Sequence, residues 1–175
     1  AKGLAAVALS ITSLDPKIAS TLEPRAPHPE RRLTAVRRLA DAGVPVYVSI
    51  APVIPAITDH EIEHLIARAA EAGAKSAFFL PVRLPHEVAP LFRAWLDEHF
   101  PDRAGKVMAT IQSLRGGGRD NDPAFFSRMK GQGPWGDLLA TRFRLACRKH
   151  GLNRERIELR TDLFRPPSGR QGELF

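Results

Sequence analysis

Cysteine is almost absent from this sequence, and its scarcity excludes several kinds of site. Cys147 is the single cysteine among 175 residues. One thiol excludes a disulfide within the chain, and it excludes a zinc or iron–sulfur site built from several cysteines of this chain. Cys147 falls on the apolar stripe of a predicted helix, where a buried core residue is the expected role. The composition therefore indicates a reducing, cytoplasmic compartment.

Long apolar runs are also missing. No stretch approaches the roughly eighteen consecutive apolar residues of a membrane-spanning helix, so we expect no membrane partner. The opening AKGLAAV is too short and too poorly flanked for a signal peptide. Because the sequence has no initiator Met and enters a strand-like run at Leu4, we expect it to be the C-terminal portion of a longer protein.

Several familiar patterns of catalytic and metal sites are absent too. The sequence has no Gly-x-Ser-x-Gly elbow, and Gly116–Gly118 lacks the Lys-Ser/Thr pair of a phosphate loop. His60 and His64 have the four-residue spacing of helical metal ligands. They lie opposite the apolar stripe of their predicted helix, so we expect exposed surface there and predict no metal site.

Acidic residues are outnumbered by basic ones, 19 against 26, which gives a net charge of +7. Arginine carries most of the excess, and that suits a partner rich in phosphates, such as DNA. An arginine-rich proteome produces the same composition. Charge alone leaves both interpretations open, because it steers association without defining a site.

What the sequence does contain is an alternation of strand-like and helix-like segments. Along the chain these runs come in the order 4–12, 33–40, 44–50, 62–69, 76–80 and 88–96. Three successive βα units predict an α/β fold with a parallel sheet. Right-handed crossovers place the helices on one outer face of a curved sheet, as in a barrel, and three units are too few to close a barrel of eight strands.

The second helix has the clearest sequence signals. Thr58 followed by Glu61 predicts a capping box at its start. Its predicted buried stripe consists of Ile62, Leu65, Ile66 and Ala69. Gly73 is expected to end the helix.

The pattern changes after residue 105. We predict, in order, a strand over 106–114, a basic loop over 115–120, a short helix over 123–130, a longer helix ending at Gly151 and a final strand over 157–161. From residue 165 onward Pro, Ser, Gly and Gln predominate, which is typical of a disordered tail. The predicted organisation is therefore βα units in 1–105, a C-terminal extension that could face the substrate in 106–164, and a tail in 165–175.

Candidate site residues lie where the predicted strands end, because parallel α/β folds place their sites there. Ser10 and Thr12 end the first strand, and their hydroxyls can bond a ribose or the amino and carboxylate groups of a ligand. Residues 13–15 equally predict an ordinary turn. Arg32 opens the next helix, where it can clamp a carboxylate while Glu23 orients it or binds an amine. A solvated charge cluster is the alternative.

The ends of the second and third strands contain prolines. Proline within a strand removes a ladder donor, so Pro52 and Pro55 predict an opened sheet with free backbone carbonyls and amides. Together with apolar contact at Ala51 and Val53, such groups can read an adenine. Arg83, flanked by prolines, is predicted to lie at the same edge of the sheet, after the third strand.

A basic stretch with interleaved aromatic residues follows. The predicted nucleic-acid contacts are Arg115, Arg119, Arg128, Lys130 and Trp135. Arginine neutralises phosphates, and aromatic rings stack on exposed or flipped bases. The alternative is that Phe125, Phe126 and Met129 anchor a short helix in the core.

Several segments together resemble radical S-adenosylmethionine proteins related to spore photoproduct lyase, the DNA-repair-photolyase branch. In chain order they are Ser10-Ile11-Thr12-Ser13, Glu23-Pro24, Arg31-Arg32-Leu33, Ala42-Gly43-Val44-Pro45-Val46, Ala51-Pro52-Val53-Ile54-Pro55 and Asp59. The resemblance covers roughly residues 4–164. Its more specific part is the Glu-Pro segment followed by the Ala-Pro-x-Ile-Pro strand.

This resemblance implies the C-terminal part of a partial (β/α)6 barrel, starting near its fourth strand, with an α/β C-terminal extension. It implies S-adenosylmethionine as ligand: Ser10 and Thr12 near its ribose and methionine moiety, Arg32 near its carboxylate, and residues 50–54 near its adenine. The implied activity is that of a lyase-like radical enzyme acting on nucleic acid, in repair or modification.

The sequence departs from the family in the residues that bind its iron–sulfur cluster. The family binds a [4Fe–4S] cluster through a Cys-x3-Cys-x2-Cys loop, and this sequence has no such loop. The expected partner is therefore the missing N-terminal half of the same enzyme, and this chain alone is expected to be inactive. An ordinary metal-free α/β-barrel enzyme is a further alternative.

The C-terminal residues suggest a different class of function. Gln171, Leu174 and Phe175 resemble the short peptide with which bacterial replication and repair proteins bind the sliding clamp. Two apolar side chains would fill a pocket while the amide bonds its rim. The alternative function is thus a non-catalytic DNA-associated module recruited through this peptide, and a frayed terminus also remains open.

Overall fold

Three strands and six α-helices alternate in the computed structural model, which describes residues 3–124, 129 and 131–163. Their bounds are β1 Val7–Ser10, α1 Pro16–Leu22, α2 Pro29–Asp41, β2 Val46–Val53, α3 Ile62–Glu71, β3 Ser76–Pro81, α4 Val88–His99, α5 Pro101–Leu114 and α6 Gly133–His150. A short 3-10 helix, Asp59–Glu61, leads into α3. Within these described residues, no helix is both long enough and apolar enough to cross a membrane.

The strands form one parallel sheet in the order β1-β2-β3. Val7 pairs with Val46 at the start of the first ladder, and Tyr47 pairs with Ser76 at the start of the second. Parallel neighbours need a crossover between them, and the intervening helices supply it. The predicted parallel α/β arrangement is therefore confirmed, although β1 is shorter than the 4–12 run from which it was predicted.

The main core lies between one face of this sheet and helices α2, α3 and α6. Val46, Val48 and Ile50 are at most 1% exposed, because they point from β2 towards the helices. The predicted stripe of α3 is fully buried in the same cluster. Tyr47 and Ser49, which alternate with these residues along β2, are only half-buried on the opposite face.

A second core joins α4 and α5 to the loops that follow β2 and β3. Its buried members are Ile54, Ile57, Val82, Leu84, Phe92, Leu96, Val107, Met108 and Ile111. Trp95 packs beside it, with its ring 5.6 Å from that of Phe92. This cluster fixes the two strand-end loops, and with them the edge of the sheet where the candidate site lies.

The predicted strand over 106–114 is wrong. Residues 101–114 form α5, with Pro101 in its first turn, where a missing N–H is harmless. Val107, Met108, Ile111 and Leu114 are buried at helical spacing, which places them on one face. The expected boundary at residue 105 falls inside this helix.

Two other predicted elements also differ from the structure. Residues 157–161 form no strand; the backbone contact here is a hydrogen bond from Arg160 N–H to Gly3 O at 2.7 Å. Pro123 and Ala124 are not helical, and most of the predicted 123–130 helix lies outside the described residues. The long helix ending at Gly151 is confirmed, with Gly151 in the left-handed region at φ 76°.

Candidate functional site

The carboxyl ends of the three strands meet at one edge of the sheet, where an irregularity in β2 exposes a carbonyl. Pairing shifts register between Ile50, opposite Phe79, and Val53, opposite Pro81. The carbonyl of Ala51 instead accepts hydrogen bonds from the hydroxyls of Ser10 at 3.0 Å and Thr12 at 3.1 Å. The irregularity lies in the proline-containing segment, as expected, but the Ala51 carbonyl there is engaged by two hydroxyls and is not free.

Glu23 and Arg32 form an ion pair beside this carbonyl. Arg32 Nη2 lies 3.0 Å from Glu23 Oε2, and the Thr12 hydroxyl is also 3.0 Å from that oxygen. Arg32 further donates from Nη1 to Ser10 O at 2.7 Å and from Nε to Pro27 O at 3.0 Å. The guanidinium thus ties the loop before α2 to the end of β1.

The ion pair leaves some hydrogen-bonding capacity unused. Within the part of the chain that the structure describes, three of the five N–H groups of Arg32 are engaged, which leaves one on each terminal nitrogen. Glu23 Oε1 has no hydrogen-bond partner among the described residues, and its side chain is 30% exposed. A ligand at this edge could contact Glu23 Oε1, while Arg32 holds the carboxylate through its other oxygen, Oε2.

A buried carboxylate that was not predicted as a site residue orders the loop after β1. Glu61, 7% exposed, accepts hydrogen bonds from the Ser13 hydroxyl and from Leu14 N–H, both at 2.6 Å. The predicted capping box is wrong, because the Thr58 hydroxyl accepts from Ile54 N–H and makes no cap bond to the helix. The Thr-x-x-Glu spacing drew attention to Glu61, but the hydrogen-bond partners of Glu61 are distant in sequence.

The turn interpretation of residues 13–15 is supported. Asp15 caps α1 by accepting from Lys17 N–H at 2.7 Å, and its own N–H donates to the Ser13 hydroxyl at 3.0 Å. Both side chains therefore have local structural roles.

Two predicted ligand contacts, Val53 and Arg83, make no side-chain hydrogen bond to the residues described above. The Val53 side chain is 1% exposed in the core, so it offers a ligand only its backbone. Arg83 is half-buried at the end of β3, where its Nη1 lies 3.4 Å from Met129 Sδ. Its buried Nε has no hydrogen-bond partner among the described residues.

The predicted nucleic-acid contacts that the structure describes differ in their burial and in their partners. Arg115 is 4% exposed and donates to Val82 O at 2.7 Å; its burial, and then the nearby charge of Arg83, lower the pKa of its guanidinium. Arg119 is exposed on the glycine-rich loop. Trp135 is half-buried against the main core, with its indole N–H donating to Asp59 Oδ2 at 3.2 Å.

Some predicted residues lie outside the described part of the chain. These are Arg128 and Lys130 of the basic stretch, and Gln171, Leu174 and Phe175 of the clamp-like peptide.

Metal-binding capacity is low in the region that the structure describes. No group of three or more His, Cys, Asp or Glu side chains there could hold a metal ion. His60 and His64 are exposed, as expected. Cys147 is 4% exposed, and burial raises the pKa of its thiol to about 11.

The chain is similar to known sequences mainly in its first half. Residues 1–69 match the sequence model of the Radical SAM superfamily. This segment contains β1, α1, α2 and β2, and with them the whole Ser10–Thr12–Glu23–Arg32–Ala51 network. The mixed α/β architecture with its small parallel sheet is consistent with part of a radical SAM fold.

Individual relatives give the same partial coverage. Uncharacterized proteins of Mycobacterium bovis and Mycobacterium tuberculosis are each 30% identical over 98 residues, which are 55% of this chain and 29% of the relative. An uncharacterized protein of Acidianus two-tailed virus is 35% identical over 75 residues, 40% of this chain and 25% of that protein. The chain thus spans under a third of the length of these relatives. No solved structure matches it.

Proposed function

We propose that this chain supplies the S-adenosylmethionine-binding and substrate-side residues of a radical S-adenosylmethionine enzyme. The observation that carries the proposal is the hydrogen-bonded network of Ser10, Thr12, Glu23, Arg32 and Ala51 at the carboxyl edge of the sheet. It lies entirely within the segment that matches the Radical SAM superfamily.

The side chains of this network have the chemistry that S-adenosylmethionine requires. Glu23 Oε1 is free to accept a hydrogen bond from the ligand's ammonium group, and Arg32 holds that carboxylate from behind. The two remaining N–H groups of Arg32 can bond the ligand's carboxylate. The hydroxyl oxygens of Ser10 and Thr12 keep lone pairs that can accept from a ribose. Arg32 therefore acts first as a positioning residue in this proposal, and second as a carboxylate contact.

An iron–sulfur cluster does not fit the residues of this chain. Three thiolates hold such a cluster in the family, whereas this chain has Cys147 alone. That thiol is buried on α6 and has a raised pKa, which disfavours the thiolate form that binds iron. We propose that the ligands come from an N-terminal part of the same enzyme, and that this chain by itself is inactive.

We further propose nucleic acid as the substrate class and the spore-photoproduct-lyase-like branch as the group within the superfamily. The support is the order of the sequence segments from Ser10 to Asp59, together with the net charge of +7.

Calorimetric titration of S-adenosylmethionine tests this proposal directly. In the complete, cluster-loaded enzyme, we expect Glu23→Gln to weaken binding by about 1.5–3 kcal/mol, since a charge-assisted hydrogen bond is lost. Asp41→Asn, an exposed acid at the end of α2, is the matched control and should leave the affinity unchanged. Equal affinities for both variants would remove the network from the ligand site. Titration of this chain alone should give no micromolar binding, because the cluster supplies part of the affinity.

A further inference from the structure

A cavity near the C-terminal end of α6 is lined by residues that have no role in the proposed function. It measures about 450 Å³ and is lined by Phe143, Arg144, Cys147, Arg148, Leu152, Asn153 and Arg154. Among the described residues, three arginines and no acidic side chain line it. Pockets of this size are typical of small-molecule sites.

The three arginines are available to a ligand. Arg144, Arg148 and Arg154 are exposed, and none of them forms an ion pair with another described residue. Arg154 also lines two neighbouring cavities, of about 350 and 470 Å³. Those two cavities also contain Glu155, whereas no acidic side chain of the described residues lines the first one. The three like charges there favour an anionic ligand, since an anion relieves their mutual repulsion.

The Arg154 guanidinium lies against the end of the helix. Gly151 adopts φ 76°, and a Cβ built there would lie 3.1–3.2 Å from the Arg154 guanidinium. The absent side chain thus leaves room for the guanidinium to lie over the glycine. Asn153 holds the same turn against β3 through hydrogen bonds to Ala77 N and O at 2.9 Å.

The helix dipole alone does not account for this cluster. Cations in the last turn of a helix offset its partial negative charge, and Arg148 fits that role. Arg144 lies a full turn earlier, and Arg154 lies beyond the helix end. Stabilisation of the helix dipole therefore explains Arg148, but neither Arg144 nor Arg154.

The wall of the cavity adds an apolar element. Phe143 is half-buried there, with its ring 4.8 Å from that of Phe79 in the core. An aromatic wall beside several arginines suits a ligand with a flat ring and a phosphate, because bases stack on aromatic and guanidinium planes. Inorganic phosphate could bind the arginines but would make no contact with the ring of Phe143.

We infer that this cavity binds a nucleotide through its phosphate and base, either as free nucleotide or as one unit of a nucleic-acid strand. The inference does not rest on the proposed radical chemistry. The cavity lies roughly 18 Å along the axis of α6 from Trp135, at the candidate-site end, since twelve helical residues separate Trp135 from Cys147. Occupying one site therefore leaves the other accessible.

Fluorescence anisotropy with a fluorescein-labelled 12-nucleotide single strand tests the inference on the full chain. The triple variant Arg144→Gln, Arg148→Gln, Arg154→Gln should bind at least about tenfold more weakly, with a salt slope lower by roughly 0.7 for each phosphate that the variant no longer neutralises. The matched control is Arg31→Gln, Arg37→Gln, Arg38→Gln, which removes the same charge from exposed positions of α2. We expect the affinity of the control to fall by less than about threefold. Circular dichroism melts establish that both variants are folded.

Competition identifies the ligand's source and chemistry. AMP that displaces the strand at a concentration at least about tenfold below that of inorganic phosphate supports a free nucleotide. Displacement by unlabelled strand but not by AMP, with the arginine dependence retained, supports a strand unit. The inference is overturned if both triple variants lose affinity equally, if the wild-type chain binds neither strand nor AMP, or if inorganic phosphate competes as well as AMP.

Discussion

At the scale of single residues, the buried carboxylate of Glu61 connects two strand-end loops. It is 7% exposed and accepts two hydrogen bonds of 2.6 Å from the segment after β1. Glu61→Gln removes the charge and replaces one acceptor oxygen with an NH2 donor, so the two hydrogen bonds cannot both be kept as they are. We expect the free energy of unfolding, measured with urea, to fall by about 1–3 kcal/mol.

A surface variant separates this effect from a general loss of negative charge. Glu71→Gln changes an exposed residue at the end of α3, and should alter stability by less than about 0.5 kcal/mol. Similar losses for the two variants would mean that the Glu61 contacts contribute nothing specific.

Cys147 gives a second prediction at this scale. Because burial raises the pKa of its thiol to about 11, very little thiolate is present at pH 8, and the side chain is 4% exposed. We expect the native chain to react with Ellman's reagent far more slowly than the chain unfolded in urea. Equal rates would show that the thiol is accessible, and would contradict its burial on α6.

The residues of this network were singled out from the sequence, but their hydrogen-bond partners were not. Ser10 and Thr12 were chosen because they end a predicted strand, and Glu23 and Arg32 because they lie at the start of the next predicted helix. That both hydroxyls bond the Ala51 carbonyl depends on the register shift in β2, which is a property of the sheet as a whole. Glu61 was assigned to a local cap because its true partner, Ser13, lies 48 residues away.

At the scale of elements, sequence periodicity succeeded where one face is clearly buried and failed where the pattern is mixed. The stripe of α3 has uninterrupted helical spacing, and all its members are buried. In α5 the short run from Lys106 to Leu114 contains Val, Thr and Ile, which favour strands. Packing against α4 overrides that preference, since Val107, Met108 and Ile111 complete the second core.

Asn153 protects the outer edge of β3. Its side-chain Oδ1 accepts from Ala77 N–H and its Nδ2 donates to Ala77 O, both at 2.9 Å, so one amide takes the place of a neighbouring strand. Asn153→Gly keeps the positive φ of 59° accessible but leaves both backbone groups without their partner. We expect a loss of about 1–3 kcal/mol in stability, and faster hydrogen exchange at the Ala77 amide. Unchanged exchange at Ala77 would contradict this role.

The contact between α3 and α6 is predicted to make stability depend on pH. Arg142 donates to both oxygens of Glu63 at 2.7 Å, and this hydrogen bonding lowers the pKa of Glu63 below its ordinary value of 4.5. A lowered folded-state pKa stabilises the fold above pH 4.5, and this contribution is lost as the pH falls through the folded value.

The effect is small because the Glu63 side chain is 46% exposed. We expect Glu63→Gln to cost about 0.3–1 kcal/mol at pH 7 and nothing once both states are protonated. Urea denaturation of both proteins across pH 3–7 measures the difference. A constant difference at every pH would assign the effect to packing instead.

At the scale of the whole molecule, helices α2, α3 and α6 cover one face of the sheet, and no described helix packs on the other face. Phe78 on β3 is 40% exposed on the uncovered face, opposite Ser49 in the ladder. Strand β1 has no neighbour on its outer side among the described residues. An exposed aromatic side chain on a face without a helix and an unpaired parallel edge are typical of surfaces that another strand or chain covers.

This asymmetry predicts that the chain by itself binds hydrophobic dyes and self-associates through the open face. Phe78→Ser should lower anilinonaphthalene sulfonate fluorescence and shift sedimentation towards the monomer, because it removes a large apolar group from that face. Leu91→Ser is the matched control: Leu91 is 68% exposed on α4, away from the sheet. If exposure alone mattered, Leu91→Ser would lower dye fluorescence and self-association more than Phe78→Ser. If Phe78→Ser has the larger effect despite its lower exposure, the continuous open face is responsible; equal effects would reduce both residues to ordinary isolated surface apolar groups.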